Sequence, residues 1–431
     1  MRTAFVTSES GLGGGETSLL NLLSAGRSAG WNPVLVCPAG SLSEAAKAQG
    51  VEVREVRFPD VHLALGFLPL LSIRAVREMG RLIRDSGAGI IHAESFLGLV
   101  YGGLAARLLR IPCVATCHGY WKLKHPAARV LVSACCDRLY PVSRAVDREF
   151  AGWFSRRQVI ALGFSEEFRA PLPEPSEARQ RLGLPTDARI VLQVGRFQAI
   201  KGQMNLLRAA ERMVASGWQR LLILFAGSIP DGPDAQGIEY QREIAAALRS
   251  KWLAGRVRLL GHRSDVPLLM RAADVVVCPS EFETFGMNVI EAMAAGTPVI
   301  ATRVGALAEI IADDVTGRLA PAGDVQGLAS RIAEVLSDSS RAKRLSTRAR
   351  ELALERYAPE VRVRRLSLEY EHVLASWGRY SEVKVQDLKS VGRHGVPAGE
   401  GECGMQNADC KAQIEGTQHS RSGVVVTSGA A

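Results

Sequence analysis

The chain lacks the patterns that would tie it to several large protein classes. Its eight cysteines include no Cys-x-x-Cys pair, and several sit inside apolar runs. They read as reduced cytosolic thiols packed as small hydrophobes. Cys113, Cys117 and His118 stand close together, but no second ligand pair matches them, so we expect no metal site. No apolar stretch reaches the roughly 20 residues of a membrane span. No basic run is interleaved with aromatics, which make up only 6% of the chain, so we expect no nucleic-acid groove. The opening MRTAFVTSESG passes straight into strand-like sequence, so we expect no cleaved leader and a cytoplasmic protein.

What is present is the balance of a globular protein: 431 residues, 47% apolar and 23% charged. That length accommodates two ordinary domains. The formal net charge of +9 points to an anionic membrane surface or acidic substrates once nucleic acid is set aside. The apolar segment VHLALGFLPLLSIRAV, residues 61–76, is either a buried loop-to-helix passage or a patch that rests on a bilayer at its inner face.

Strand-like and helix-like runs alternate along the chain, which predicts parallel sheets with crossover helices. TAFVTS, with Ser8 at its end, NPVLVCP, GIIHAES and PCVATCHG read as strands of a first unit. RIVLQVGR, RLLILFAGS, DVVVCPS and TPVIATRV read as strands of a second. Their short Val- and Ile-rich runs suit strands covered on both faces. The Pro-, Glu- and Arg-rich texture near 163–188 marks the connection between units. We therefore divide the chain into a first domain, 1–165; a linker, 166–188; a second domain, 189–358; a closing helix, 359–379; and a tail, 380–431, whose Gly-rich polar composition predicts disorder.

Four places could carry chemistry. In SESGLGGGETSLL, Gly14 and Gly15 run into a helix expected to start near Glu16; such a turn brings backbone N–H groups close to a phosphate, though a plain tight turn fits equally well. No Lys-Ser/Thr follows, so it is not a P-loop. In VGRFQAIKGQ, Arg196 and Lys201 stand just past a strand's carboxyl end, where open sheets bind ligands, and two cations there suit a diphosphate. In EFETFGMNVIEAMAAG, Glu283 and Glu291 flank a helix start at Phe285-Gly286. Side chains on a helix lean toward its N-terminus, so both acids can face one mouth, and carboxylates accept from sugar hydroxyls. His118, in ATCHGY, ends a strand and is expected to face the cleft, with a satisfied core histidine as the alternative.

VGRFQAIKG, PSEFETFGMNVIEAMAAGTPVIATRVGALAEII and TGRLAPAGD together resemble the retaining glycosyltransferases of family 4 (glycosyl transferases group 1), and the Glu-x7-Glu spacing of Glu283 and Glu291 matches that family. The resemblance spans about residues 1–377 and is closer in the second half. It implies a GT-B fold, two Rossmann-like doubly wound parallel-sheet domains facing across a cleft. It implies that Arg196 and Lys201 hold the diphosphate of a nucleotide-sugar donor, Glu283 the hexose and Glu291 the ribose. Backbone N–H groups at Gly14, Gly15, Phe285 and Gly286 would reach the donor too, and His118 would sit by the transferred sugar. Transfer to a glycan or lipid-linked acceptor with retained anomeric configuration follows, without cofactor or bound metal, and no Asp-x-Asp follows a strand here. HAESFLGLVYGG and HGYWKLKHP carry no pattern for one acceptor. A nucleotide-sugar epimerase on the same frame and a non-catalytic nucleotide-sugar binder remain as alternatives.

Overall fold

Wholly buried apolar runs such as LLILFA and VVVC can only be interior strands covered on both sides, and both lie inside the second of two parallel sheets. The computed structural model describes residues 1–59, 72–121, 123, 126–228 and 235–378. The first sheet holds β1 (Arg2–Val6), β2 (Asn32–Cys37), β3 (Glu52–Glu55), β4 (Ile90–Ala93), β5 (Cys113–Cys117) and β6 (Arg138–Pro141) in the order 3-2-1-4-5-6. The second holds β7 (Arg189–Val194), β8 (Leu221–Ala226), β9 (Val257–Leu259), β10 (Val275–Cys278), β11 (Val299–Thr302) and β12 (Arg318–Ala320) in the order 12-11-10-7-8-9. Every pairing is parallel. Each sheet therefore reverses its winding once, between β1 and β4 and between β7 and β10. Such a switch point opens a crevice beyond the strands' carboxyl ends.

The helices between strands follow their sequence punctuation. Ile73–Ser86 is amphipathic: Val76, Met79 and Ile83 are buried, Ser72 caps its start and left-handed Gly87 ends it. The last helix, Pro359–Ser376, returns to the first sheet. Trp31 Nε1 donates to Ser367 Oγ at 3.1 Å, and Tyr370 and Leu366 join the core around Phe5, Leu23 and Trp31.

Some local expectations shift. β1 stops at Val6 rather than Ser8, and the helix after it starts at Gly14 rather than near Glu16, so Gly14 and Gly15 lie inside its first turn. Within 166–188 the helix Pro175–Arg181 forms and is held by the second half: Arg179 is buried, paired with Asp274 at 2.8 Å and bonded to the Ala272 carbonyl. The helix Pro126–Cys135 is added before β6. All six cysteines among the described residues are free and buried. Burial pushes thiols such as Cys113 and Cys117 up, so they stay protonated fillers. Most of the apolar segment 61–76 and the tail after 380 lie outside the described residues. Among those described, no helix is long and apolar enough to cross a membrane.

Candidate active site

A cavity of about 450 Å³ lies where the carboxyl ends of the two sheets meet. Gly14, Gly15, His118, Arg196, Lys201, Glu283, Phe285, Gly286 and Glu291 all line it. The turn after β1 and the loop after β5 supply one wall. The loops after β7 and β10 supply the other, with His262 and Arg263 from the loop after β9.

On the second-domain side, backbone packing sets the shape. Gly202 has φ +69°, and a Cβ there would stand 2.0 Å from the Pro279 carbonyl oxygen. Only glycine lets the Lys201 loop close down on the end of β10. Gly286 has φ +106° and starts the helix Met287–Ala295 with no side-chain cap. First-turn N–H groups without a cap leave the positive end of the helix for an anionic ligand, and Met287 and Asn288 of that turn line the cavity. Asn288 Nδ2 donates to the Val194 carbonyl at 2.9 Å, tying this helix to β7.

The charges are arranged unevenly. Lys201 Nζ donates to Glu283 Oε2 at 2.7 Å, a half-buried pair that sequence spacing did not foresee, because the two residues are 82 apart. Arg196 is exposed and makes no salt bridge among the described residues. Glu291 is the fifth residue of its helix, just over one turn in, with its carboxyl pushed up to about 7, first by burial and then by repulsion from Glu167. Among the described residues no three His, Cys, Asp or Glu side chains gather as metal ligands.

On the first-domain side His118 does face the cleft, its side chain 22% exposed. Its Nε2 donates to Glu94 Oε2 at 2.6 Å. Glu94, just past the end of β4 in the HAES read only as strand sequence, is almost wholly buried and makes a contact to His118 that sequence reasoning missed. Burial alone would raise its carboxyl, yet His92, His118 and Arg362 together hold it down at about 2. His92 is itself pushed down to about 4 by burial. At neutral pH it is uncharged, which leaves the Arg362 guanidinium and the hydrogen bond from His118 beside the Glu94 charge.

Among the described residues, side-chain contacts join the lobes beside the cavity. Ser143 Oγ donates to the Thr284 carbonyl at 2.8 Å, inside the loop after β10. Glu309 accepts from the backbone N–H groups of Arg144 at 2.9 Å and Ala145 at 2.7 Å. Tyr120 and Phe282 pack with ring centroids 5.1 Å apart. None of these pairings was visible from the residues alone.

Comparison with known proteins agrees with this architecture. Residues 175–352 match the family model described as Glycosyl transferases group 1, and residues 12–167 match the one described as Glycosyltransferase Family 4. The chain is 33% identical over 303 residues to a D-inositol 3-phosphate glycosyltransferase of Thermobispora bispora, covering 65% of this chain and 68% of the relative. It is likewise 33% identical over 315 residues to the protein of that name from Streptosporangium roseum, covering 65% and 69%. Among solved structures, Anabaena HepE in complex with UDP-glucose superposes with a TM-score of 0.73 at 24% identity, covering 86% of this chain and all of that one.

Proposed function

Since this chain belongs to the glycosyl transferases group 1 family and has its GT-B fold, it is a glycosyltransferase, and we propose that it moves a hexose from a nucleotide-diphosphate sugar to a glycan or lipid-linked acceptor with retention of anomeric configuration. Assembly of a surface polysaccharide or glycolipid is the process we assign to it. The observation that carries the reading is the convergence of nine residues, picked from four separate sequence stretches, on one cavity at two sheet switch points. The complex of HepE with UDP-glucose supports a nucleotide-sugar donor.

The chemistry follows from charge. Breaking the anomeric C–O bond leaves a diphosphate with extra negative charge. Arg196, Lys201 and the uncapped helix end at Gly286 offer fixed positive groups where that charge grows. Lys201 starts paired with Glu283, so on donor arrival its ammonium is shared between carboxylate and phosphate, while Glu283 keeps acceptor capacity for a hexose hydroxyl. Glu291, deeper in the second domain, takes the ribose hydroxyls. His118 stands across the cleft beside the sugar. We retain with this assignment an acceptor-side domain over 1–165 and a donor-side domain over 189–358, with no cofactor or metal in the step.

A panel of nucleoside diphosphates and nucleotide sugars in thermal-shift titrations tests donor binding, because a ligand that binds the folded state raises its melting point by mass action. Product analysis then separates the alternatives. Sugar isomerised with no acceptor present would favour an epimerase. Tight binding without turnover on any glycan or lipid would favour a mere binder. The relatives' names favour a second acceptor class, a phosphorylated cyclitol, so inositol phosphates belong in the acceptor panel.

We also propose peripheral contact of the first domain with an anionic bilayer. The helix Ile73–Ser86 turns Arg74, Arg77, Arg81 and Arg84, at one helical spacing, to solvent on a chain of net charge +9. Cosedimentation with phosphatidylserine vesicles at low salt is expected, and its absence there would remove this part.

A further inference from the structure

A single chain of hydrogen bonds runs from the last helix to the cleft, and its donor directions are forced. Glu94, ionised, can only accept. Thr116 Oγ1 has one proton and reaches Glu94 Oε1 at 3.5 Å, so it must accept from its other neighbour, His92 Nε2, at 2.7 Å. His92 is neutral, so its Nδ1 accepts, and the Tyr370 hydroxyl donates to it. Burial keeps the Tyr370 phenol protonated by pushing it well up. On the far side Glu94 Oε2 accepts from His118 Nε2–H at 2.6 Å. Arg362, from the same helix as Tyr370, lies 4.0 Å from Glu94 Oε1 and bonds Ser18 Oγ at 2.8 Å. The other ring nitrogen, His118 Nδ1, is buried without a hydrogen-bond partner among the described residues. It stands 3.7 Å from where a Cβ on Gly15 would be, at the Gly-rich rim of the cavity.

An orphaned ring nitrogen at a cavity wall, on a histidine whose opposite nitrogen is committed, points to an absent partner. We propose that Glu94 is a positioning residue for His118: by accepting from Nε2–H it holds the proton on that nitrogen and leaves the Nδ1 lone pair to accept from a hydroxyl of the donor's sugar. This rests on the nucleotide-sugar reading above and adds to it the tautomer and the residue that sets it. Glu94 touches no substrate. It acts through the imidazole, and Thr116, His92 and Tyr370 hold it in turn.

The full chain, labelled with 15N at histidine, gives a direct readout, with the His118 signals identified by their loss in His118→Asn. The wild type is expected to show a protonated Nε2 and a bare Nδ1. Glu94→Gln keeps an oxygen acceptor in place and should retain that tautomer. Glu94→Ala removes it and should yield a mixture or an Nδ1-protonated ring. Glu94→Asp keeps the charge but withdraws it from Nε2; it should behave like Ala and serves if the Ala variant does not fold. With UDP-glucose as the probe donor, kcat should fall on the order of 100-fold in Ala and Asp, while Gln stays within several-fold of the wild type and UDP affinity is unchanged throughout. A wild-type proton on Nδ1, a tautomer indifferent to Glu94→Ala, or equal losses in Gln and Ala would overturn the proposal. If the wild type turns over no nucleotide sugar, the functional reading fails, while the tautomer measurement still decides the role of Glu94.

Discussion

Lys201 and Glu283 come from strand ends 82 positions apart, yet each is the other's charge partner. Removing one leaves the other uncompensated in a half-buried site, so the single variants should each lose more than the pair's modest attraction. Lys201→Ala and Glu283→Ala are each expected to lower turnover on the order of 100-fold. The double variant should fall by less than the product of the two single effects, which a steady-state cycle checks. Glu291 gives a second residue-scale prediction. Its folded carboxyl stands near 7 against an ordinary 4.5. Below the ordinary value both folded and unfolded chains carry the proton, and no penalty exists. As pH rises from about 4.5 to about 7 the unfolded chain ionises first, so stability declines by up to about 3 kcal/mol, less whatever the cleft's water screens, and is flat above. Urea melts of Glu291→Gln against the wild type from pH 4 to 8 should show that slope vanish. Nucleotide affinity should move the opposite way in the wild type, weakening as pH falls below 7, because only the carboxylate accepts two hydroxyl donors.

At the scale of elements, the site depends on how closely loops approach strand ends. Gly202 and Gly286 both hold left-handed backbone, and a methyl on either would overlap a neighbour: the Pro279 carbonyl at 2.0 Å or Leu307 Cδ2 at 2.5 Å. The Leu307 side chain can turn away, whereas the Pro279 carbonyl belongs to the backbone. Gly202→Ala is therefore expected to cost more than about 2 kcal/mol, and Gly286→Ala less. Denaturant midpoints measure both. The same elements show what sequence could carry. VGR and FETFG were legible as loops at strand ends because apolar runs stopping at Gly195 and at Pro279 have few other readings. Helix starts were less legible: Gly14 and Gly15 moved inside a helix whose N-terminal signal, Glu16, reaches back to the Gly13 N–H at 2.9 Å. A capping glutamate is read from spacing as the helix start, while geometry puts it at the third position.

At the scale of the whole molecule, contacts among the described residues bridge the lobes at the cavity edge: Ser143 to the Thr284 carbonyl, Glu309 to the Arg144 and Ala145 N–H groups, and Tyr120 against Phe282. Each is small and polar or edge-exposed, so the lobes should open and close around the donor. Glu309→Ala is expected to raise the donor KM several-fold with little loss of stability, since no core residue is disturbed. A wider solution envelope in small-angle scattering of the unliganded variant would report the open state directly.

Sequence alone determined the alternation of strands and helices, the two-sheet class and the loops that bear the donor-side residues. Each of those is written in local pattern, where burial and backbone freedom act within a few positions of one another. Only the tertiary structure decided who pairs with whom: Lys201 with Glu283, Glu94 with His118, and the final helix with the first sheet through Tyr370 and Arg362. Hydrogen bonds and ion pairs act over about 3 Å in space, and partners that far apart along the chain leave no periodic trace in it.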